Sequence, residues 1–383
     1  MKTPARSRTG CTRPRTVRVA IILVAVLLLP IALPSAVAWR ADGWLSQDIV
    51  GGERLALGDE FGCHGMPDRD VRDDIDVVED CKDYLTSNIN ASKWGAQPLS
   101  FQVSSGEVSI EIHDALFDAG FRTLGDGRLT GELAGMQPMA RSGGSIEKNV
   151  ASIEDIEESI VENGYVNLYW EAQIEDLNVR RDKDVLEWIE DQPYWFTTWG
   201  EWYSAIHMAD EIESTSTSIT LRGSPARDGG WAVPGTTVLS VQGANITDVA
   251  RVDGELLPLI EEDTRHLEVG LRQLNDHAVI FTILEGVEVR IEFDAEPSVL
   301  HKAAAPFNNM TPFMAVGHHT TDLFEWSEPF QHSPIRFTWL IEPQADIEPT
   351  WILPAIAVIV VLTVPTAVWW TMKKDREQYD EEE

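Results

Sequence analysis

The sequence predicts a mainly β (α+β) outer domain, built of antiparallel sandwich-like sheets with a few helices and flanked by two membrane-directed segments. Three observations predict this class: period-two alternation recurs between residues 99 and 341, uncharged apolar runs occupy 19–39 and 351–372, and acidic residues dominate the stretch between them. The 383 residues carry 63 Asp and Glu against 30 Lys and Arg, a formal net charge of −33. A polyanion needs a basic surface to neutralise its phosphates, so nucleic acid is excluded as a partner. Apolar residues make up 43% of the chain, with 14 Trp, 12 Phe and 6 Tyr, which is enough to bury a core and excludes general disorder.

Residues 1–18 hold Lys2, Arg6, Arg8, Arg13, Arg15 and Arg18 and no acid. With the apolar stretch 19–39 behind them they form a targeting segment. The small residues Ala36 and Ala38 suit signal-peptidase cleavage, while a run of 21 residues is also long enough for an uncleaved anchor helix. Both readings stand. At the other end, 351–372 carries no charge, and Lys373, Lys374 and Arg376 follow it in a charged tail, 373–383. This pattern predicts a transmembrane helix with a cytoplasmic C-terminus, and with it a cell-membrane location, a lipid bilayer as partner, and the bulk of the chain outside.

The outer portion reads as 40–221, a Gly- and Pro-rich loop at 222–235, and a β-rich region 236–350. Between 39 and 350 there are 57 acidic and 21 basic residues, a net of −36. Cys11 falls in the basic tail, which leaves Cys63 and Cys81 as an outer pair; their spacing predicts a disulfide, worth about 3 kcal/mol through loop closure. A metal site with His64 is the alternative, but it lacks a second ligand pair at zinc spacing. The loop also holds Asp68, Asp70, Asp73, Asp74 and Asp76, hard oxygen donors of the kind Ca²⁺ takes. Arg72 at the fifth position and the missing sixth-position Gly depart from the EF-hand pattern, so a solvated acidic loop is the plainer reading. Asn90, Asn245 and Asn309 lie in N-x-S/T triplets and are candidate glycosylation sites.

Strands are predicted at 99–103, 108–113, 165–171, 216–221, 237–241, 266–271 and 335–341. A hairpin is predicted from 279–284 and 287–293, joined by Glu285-Gly286. Ile153, Ile156, Ile160 and Val161 predict one amphipathic helix, opened by Ser152 with Asp155 as a capping pair.

The densest aromatic segment runs from Tyr194 to Tyr203. Trp195, Trp199, Trp202 and Ile206 fall on one helical stripe, with Tyr203 beside it. It reads as core, as a membrane-interface face, or as a stacking platform for a sugar. Neighbouring Glu187, Glu190, Glu201 and Asp210 invite a glycosidase reading, yet with 57 acids among 312 positions their proximity to a Trp carries no information. Histidines are scarcer. His207, His301, His318, His319 and His332 show no metal-ligand spacing, so no metal or other cofactor is predicted; His318, His332, Asp68 and Asp70 are the weak candidates. No G-x-S-x-G, P-loop or dinucleotide glycine pattern occurs.

These features predict a membrane-anchored, acidic, non-enzymatic binding or envelope-structural protein, with an envelope protein as a possible partner. The alternatives are a membrane-tethered hydrolase, carbohydrate-directed or metal-dependent, and an accessory subunit of a membrane complex. Arg outnumbers Lys 16 to 5 between 39 and 350, and that bias with a net of −36 suits high or marine salt, where screening removes self-repulsion. Denaturant unfolding is therefore expected to show stability rising between about 0.1 M and 1 M NaCl, where the Debye length falls from about 10 to 3 Å; flat or falling stability would contradict it.

Overall fold

Eight strands run parallel in a single curved sheet. In the computed structural model the described residues are 54, 56–66, 69–129, 135–171, 181–227, 230–318, 330 and 332–342, with 357–358, 361–366, 368–370 and 372–373 in the C-terminal segment. Contacts divide the chain into two units, Met1–Glu342 and Pro343–Glu383.

The first unit opens with β1 (Glu60–Cys63), α1 (Val77–Asn88), β2 (Ser100–Val108), α2 (Ile110–Asp118), β3 (Thr123–Leu129) and β4 (Gln137–Met139). It continues with α3 (Ile153–Asn163), β5 (Val166–Glu171), α4 (Lys183–Asp191), β6 (Tyr194–Thr197) and α5 (Trp199–Ala205). Strands β15 (Thr311–His318) and β16 (Phe337–Ile341) complete the sheet, whose order is β4-β3-β2-β1-β16-β15-β5, with β6 also paired to β15. Parallel neighbours require crossover connections; α1 provides one from β1 to β2 and α2 one from β2 to β3.

The edges of this sheet nearly meet. Residues 143–146, which follow β4, hydrogen-bond along β5: Gly143 N to Asn167 O at 3.2 Å, Tyr169 N to Gly144 O at 3.1 Å and Ile146 N to Tyr169 O at 3.1 Å. The Ser-Gly-Gly stretch is thus a strap that bends the sheet into a barrel. Glycine is required there, since a Cβ on Gly143 would lie 2.7 Å from Val166.

The outer face packs Phe61, Phe101, Val166, Leu168, Phe337 and Trp339 against apolar faces of the helices, including Leu85, Ile112, Ile156 and Ile189. Helix α3 forms where its capping pair places it: Ser152 Oγ accepts from Asp155 N at 3.2 Å, and Gly164, at φ 72°, ends it. Cys63 on β1 and Cys81 on α1 are buried at disulfide distance, with Cα atoms 6.1 Å apart.

Between α5 and β15 the chain inserts eight antiparallel strands: β7 (Asp210–Ser214), β8 (Ser218–Arg222), β9 (Gly235–Gln242), β10 (Ile246–Arg251), β11 (Gly270–Asn275), β12 (Ala278–Ile283), β13 (Glu288–Phe293) and β14 (Val299–Ala304). They form two four-stranded sheets, β10-β13-β8-β7 and β11-β12-β9-β14. One apolar cluster joins residues of both sheets, among them Leu221, Leu239, Phe281, Val289 and Ile291.

Four expectations are corrected. The fold is not an antiparallel sandwich with helices added: antiparallel pairing between the named strands is confined to the insertion, and the larger sheet is parallel. The expected strand at 108–113 is mostly α2, because Ser109 Oγ accepts from Ile112 N and caps a helix. The expected hairpin does not form either. β12 pairs with β9 and β11, whereas β13 pairs with β8 and β10, so residues 284–287 arch from one sheet to the other.

The fourth correction concerns the C-terminal segment. Among the described residues no helix is long and apolar enough to cross a membrane. Within 351–372 the described residues are 357–358, 361–366, 368–370 and 372. The remainder of 351–372, and all of the N-terminal segment 1–39, lie outside the described residues.

Candidate functional site

Parallel strands wrapped by helices normally have apolar faces on both sides. Here the inner face is mixed: Met139, Met314, Val316 and Leu340 cluster there with Tyr169 and Trp199, and the other positions are polar. Glu60, Gly62, Ser100, Gln102, Thr123, Asn167 and Thr338 alternate along the strands with the apolar residues of the outer face. Two groups of side chains occupy this interior, one towards the amino ends of the strands and one at their carboxyl ends.

At the amino end two consecutive acids stand at the start of β1, Asp59 on the outer side and Glu60 on the inner side. Asp59 pairs with Arg54 at 2.7 Å and accepts from Trp339 Nε1 at 2.9 Å and Phe337 N at 3.1 Å, all of them buried. Arg54 also donates to the carbonyls of Phe330, Ser333 and Ile335, which ties the approach to β16 onto β1. Glu60 points the other way. It accepts from Ser100 Oγ, from Gly200 N at 2.8 Å and from Thr338 Oγ1 at 3.2 Å, while Thr123 Oγ1 donates onward to Ser100 Oγ at 2.8 Å. No cation touches it among the described residues, and complete burial raises its carboxyl above the ordinary 4.5.

Glu201 is the third buried acid. Arg336 Nη1 lies 2.6 Å from both of its oxygens, Trp94 Nε1 donates at 2.5 Å and Thr197 Oγ1 at 3.1 Å. Around this pair, burial lowers Lys93 to about 8, with Arg336 adding repulsion. Burial, then the same arginine, lowers His266 to about 4, so its ring is neutral at pH 7 and Pro334 O accepts from it at 2.7 Å. Trp195, Trp231, Ile260, Leu267 and Phe307 form an apolar cluster drawn from both the barrel and the insertion, and Trp94, which donates to Glu201, packs against it.

The predicted aromatic stripe is divided between these surroundings. Thr198 caps α5 and accepts from Glu201 N, so Trp195 lies on a strand and Trp199 on a helix. Trp195 packs on Phe307; Trp199 fills the barrel, donating from Nε1 to Asn167 Oδ1 at 2.9 Å. A Cβ on Gly125 would stand 2.5 Å from that ring, so the strand opposite must be glycine. Tyr203 is buried and Trp202 half-buried against Tyr165.

The carboxyl-end group is built on Asp126. Its backbone is left-handed, φ 55°, which turns its carboxylate to Arg141, with Nε at 3.0 Å and Nη2 at 2.5 Å. Arg141 stacks 4.2 Å over the Tyr169 ring. Gln102 Nε2 donates to Asp126 Oδ2 at 2.8 Å. A carboxylate only accepts, so this bond fixes the amide and turns Gln102 Oε1 away. That oxygen is buried without a hydrogen-bond partner, in a residue 1% exposed. Gln102 lines a cavity of about 180 Å³ with His64, Met66, Arg69, Asp70, Phe101 and Glu342. His64 and Glu342 stand 3.9 Å apart across its wall.

Of the weak metal candidates, Asp70 bonds Arg72, His332 is exposed, Asp68 lies outside the described residues, and His318 ends β15 opposite Glu171 in register. Among the described residues no group of three His, Cys, Asp or Glu could hold a metal. Asn90, Asn245 and Asn309 are all exposed, and Asn245 Nδ2 donates to Asp294 at 2.7 Å. Sequence reading singled out neither the Glu201–Arg336 pair nor Gln102, because acids are too common here for any one to stand out. The one available signal was the alternation of Ser100 and Gln102 with Phe101 and Val103. No known protein family, curated protein or solved structure matches this chain.

Arg336→Ala is expected to lose about 3–5 kcal/mol in denaturant unfolding by stranding Glu201, and adding Glu201→Gln should restore part of it. A double variant no more stable than the single would show that the pair is not coupled. The pH dependence divides by sign. Glu60 is raised, so the folded state holds the extra proton and its contribution to stability falls as pH rises from 4.5 through the folded value. His266 is lowered from 6.5 to about 4, so its contribution rises with pH across that window. The gap in stability between Glu60→Gln and the parent should therefore shift in the variant's favour above pH 4.5, and that for His266→Gln in its favour below 6.5; unchanged slopes would contradict both assignments.

Proposed function

We propose that this chain is an extracytoplasmic binding protein, held at the cell membrane, that takes a small neutral polyhydroxyl ligand of sugar type at the carboxyl ends of its parallel strands. The carrying observation is the buried Gln102 Oε1, which lacks a hydrogen-bond donor and belongs to a residue that lines a cavity at that end. An orphaned buried acceptor is costly, and a ligand hydroxyl would satisfy it. The other walls favour the same chemistry: Glu342 and Asp70 accept, Arg69 and His64 donate, and Phe101 with Met66 offers apolar surface to the C–H face of a ring. A hydroxyl both donates and accepts, which suits a mixed lining better than a pure cation or anion would.

An outer location is supported by the Cys63–Cys81 pair at disulfide distance and by the basic residues that precede the apolar run 19–39. A hydrolase is the second reading, favoured by the left-handed backbone of Asp126 at the mouth of the barrel. Against it, that carboxylate is engaged by Arg141 and Gln102.

Titration calorimetry with glucose, galactose and N-acetylglucosamine tests the binding reading. At least one is expected to bind, and Gln102→Met should weaken it about tenfold or more, the value of a buried hydrogen bond. Absence of binding to all three, or unchanged affinity in Gln102→Met, would overturn it. Turnover of aryl glycosides that is lost in Asp126→Asn would favour the hydrolase instead.

A further inference from the structure

A second cavity, at the amino end of the barrel, differs from the first in size and chemistry. It has a volume of about 400 Å³, within the range of small-molecule sites, and is lined by Phe117, Gly135, Met136, Gln137, Tyr203 and Arg227. These residues come from the end of α2, the approach to β4, helix α5 and the loop that follows β8. Gly135, at φ 97°, allows the wall to close on Phe117: a Cβ there would lie 2.4 Å from that ring. Tyr203 is fixed by donation of its hydroxyl to Gly135 O at 3.2 Å, and Phe117 is fixed under the Arg122 guanidinium, 4.1 Å from its ring.

Arg227 is the unusual member. Acids outnumber bases two to one in this chain, and most arginines of the barrel and insertion have a carboxylate partner, as Arg54, Arg69, Arg141, Arg222, Arg251 and Arg336 do. Arg227 instead stacks 5.2 Å over the Tyr203 ring, is exposed, and pairs with no carboxylate among the described residues. The cavity lining contains no acid. A cation on an aromatic face beside an apolar hollow offers a planar fork to an anionic group and dispersion contacts to the rest of its ligand.

We infer that this cavity binds a small organic anion with a flat apolar body, its carboxylate on Arg227 and its body against Phe117, Met136 and Tyr203. The net charge of the protein repels anions at long range, so selection must come from the local guanidinium, whose contact survives screening that removes the distant field. The polyol reading of the other cavity is independent of this one, since the two share no residue.

The experiment uses 2-naphthoate and its uncharged analogue 2-naphthalenemethanol as probes of the full chain, by saturation-transfer NMR and calorimetry in about 0.5 M NaCl. The acid is expected to bind about tenfold or more tightly than the alcohol, the margin of a charge-assisted bidentate contact. Arg227→Gln should remove that preference while leaving alcohol binding unchanged, and Arg227→Lys should restore only part of it because the fork is lost. Arg227 is exposed, and unchanged unfolding of Arg227→Gln would confirm that the variant is folded. Equal affinity for acid and alcohol, a preference that persists in Arg227→Gln, or no binding of 2-naphthoate at millimolar concentration would each overturn the inference.

Discussion

Three carboxyl side chains are completely enclosed among the described residues, and the architecture of the barrel follows from the need to satisfy them. Asp59 and Glu60 are consecutive, so an extended backbone sends them to opposite sides of β1. One meets Arg54 and the indole of Trp339 on the outer side; the other meets Ser100, Thr338 and the Gly200 amide on the inner side. Burying an ion costs several kcal/mol unless its hydrogen-bonding capacity is filled, and these partners come from segments far apart in sequence. β1, β2, β16 and the start of α5 are therefore held together by polar contacts, with apolar packing on the outer face completing the layers.

The same constraint explains why α5 enters the barrel. Its first turn supplies Gly200 N to Glu60 and carries Glu201 to Arg336, and Trp199 fills the space between them. The helix is only seven residues long, so its position owes more to these contacts and to the Thr198 cap than to helix propensity. The insertion then follows directly from the end of α5 and contributes Ile260, Leu267 and Phe307 to the apolar cluster on which Trp94, a partner of Glu201, packs. Both cavities lie where this arrangement leaves room: one past the carboxyl ends of β1 and β16, beside Phe101 to Val103 of β2, the other where the loop after β8 meets α5.

The polar positions of the interior are also what disguised the fold. Parallel strands of a wrapped barrel usually read as continuous apolar runs, whereas alternation signals an antiparallel sheet with one wet face. In Ser100-Phe101-Gln102-Val103 and in Phe337-Thr338-Trp339-Leu340-Ile341 the polar positions face an enclosed interior. The pattern is that of a half-solvated strand although neither face is solvated. The 284–287 arch misleads for a similar reason: two alternating strands with a Gly between them satisfy the local signature of a hairpin, and only the packing of two sheets decides that they separate.

By itself the sequence determined part of the local structure: the capped helix at Ile153–Asn163, about half of the strands, and a composition with enough apolar residues to bury a core. Those properties depend on near neighbours and on sums over the chain. Strand direction, the choice of which few of 63 acids are buried, and the isolation of Gln102 Oε1 and Arg227 were decided only in the tertiary structure. Each depends on partners tens to hundreds of residues away. Glu60 and Thr338 are 278 positions apart, and no local pattern records that they meet.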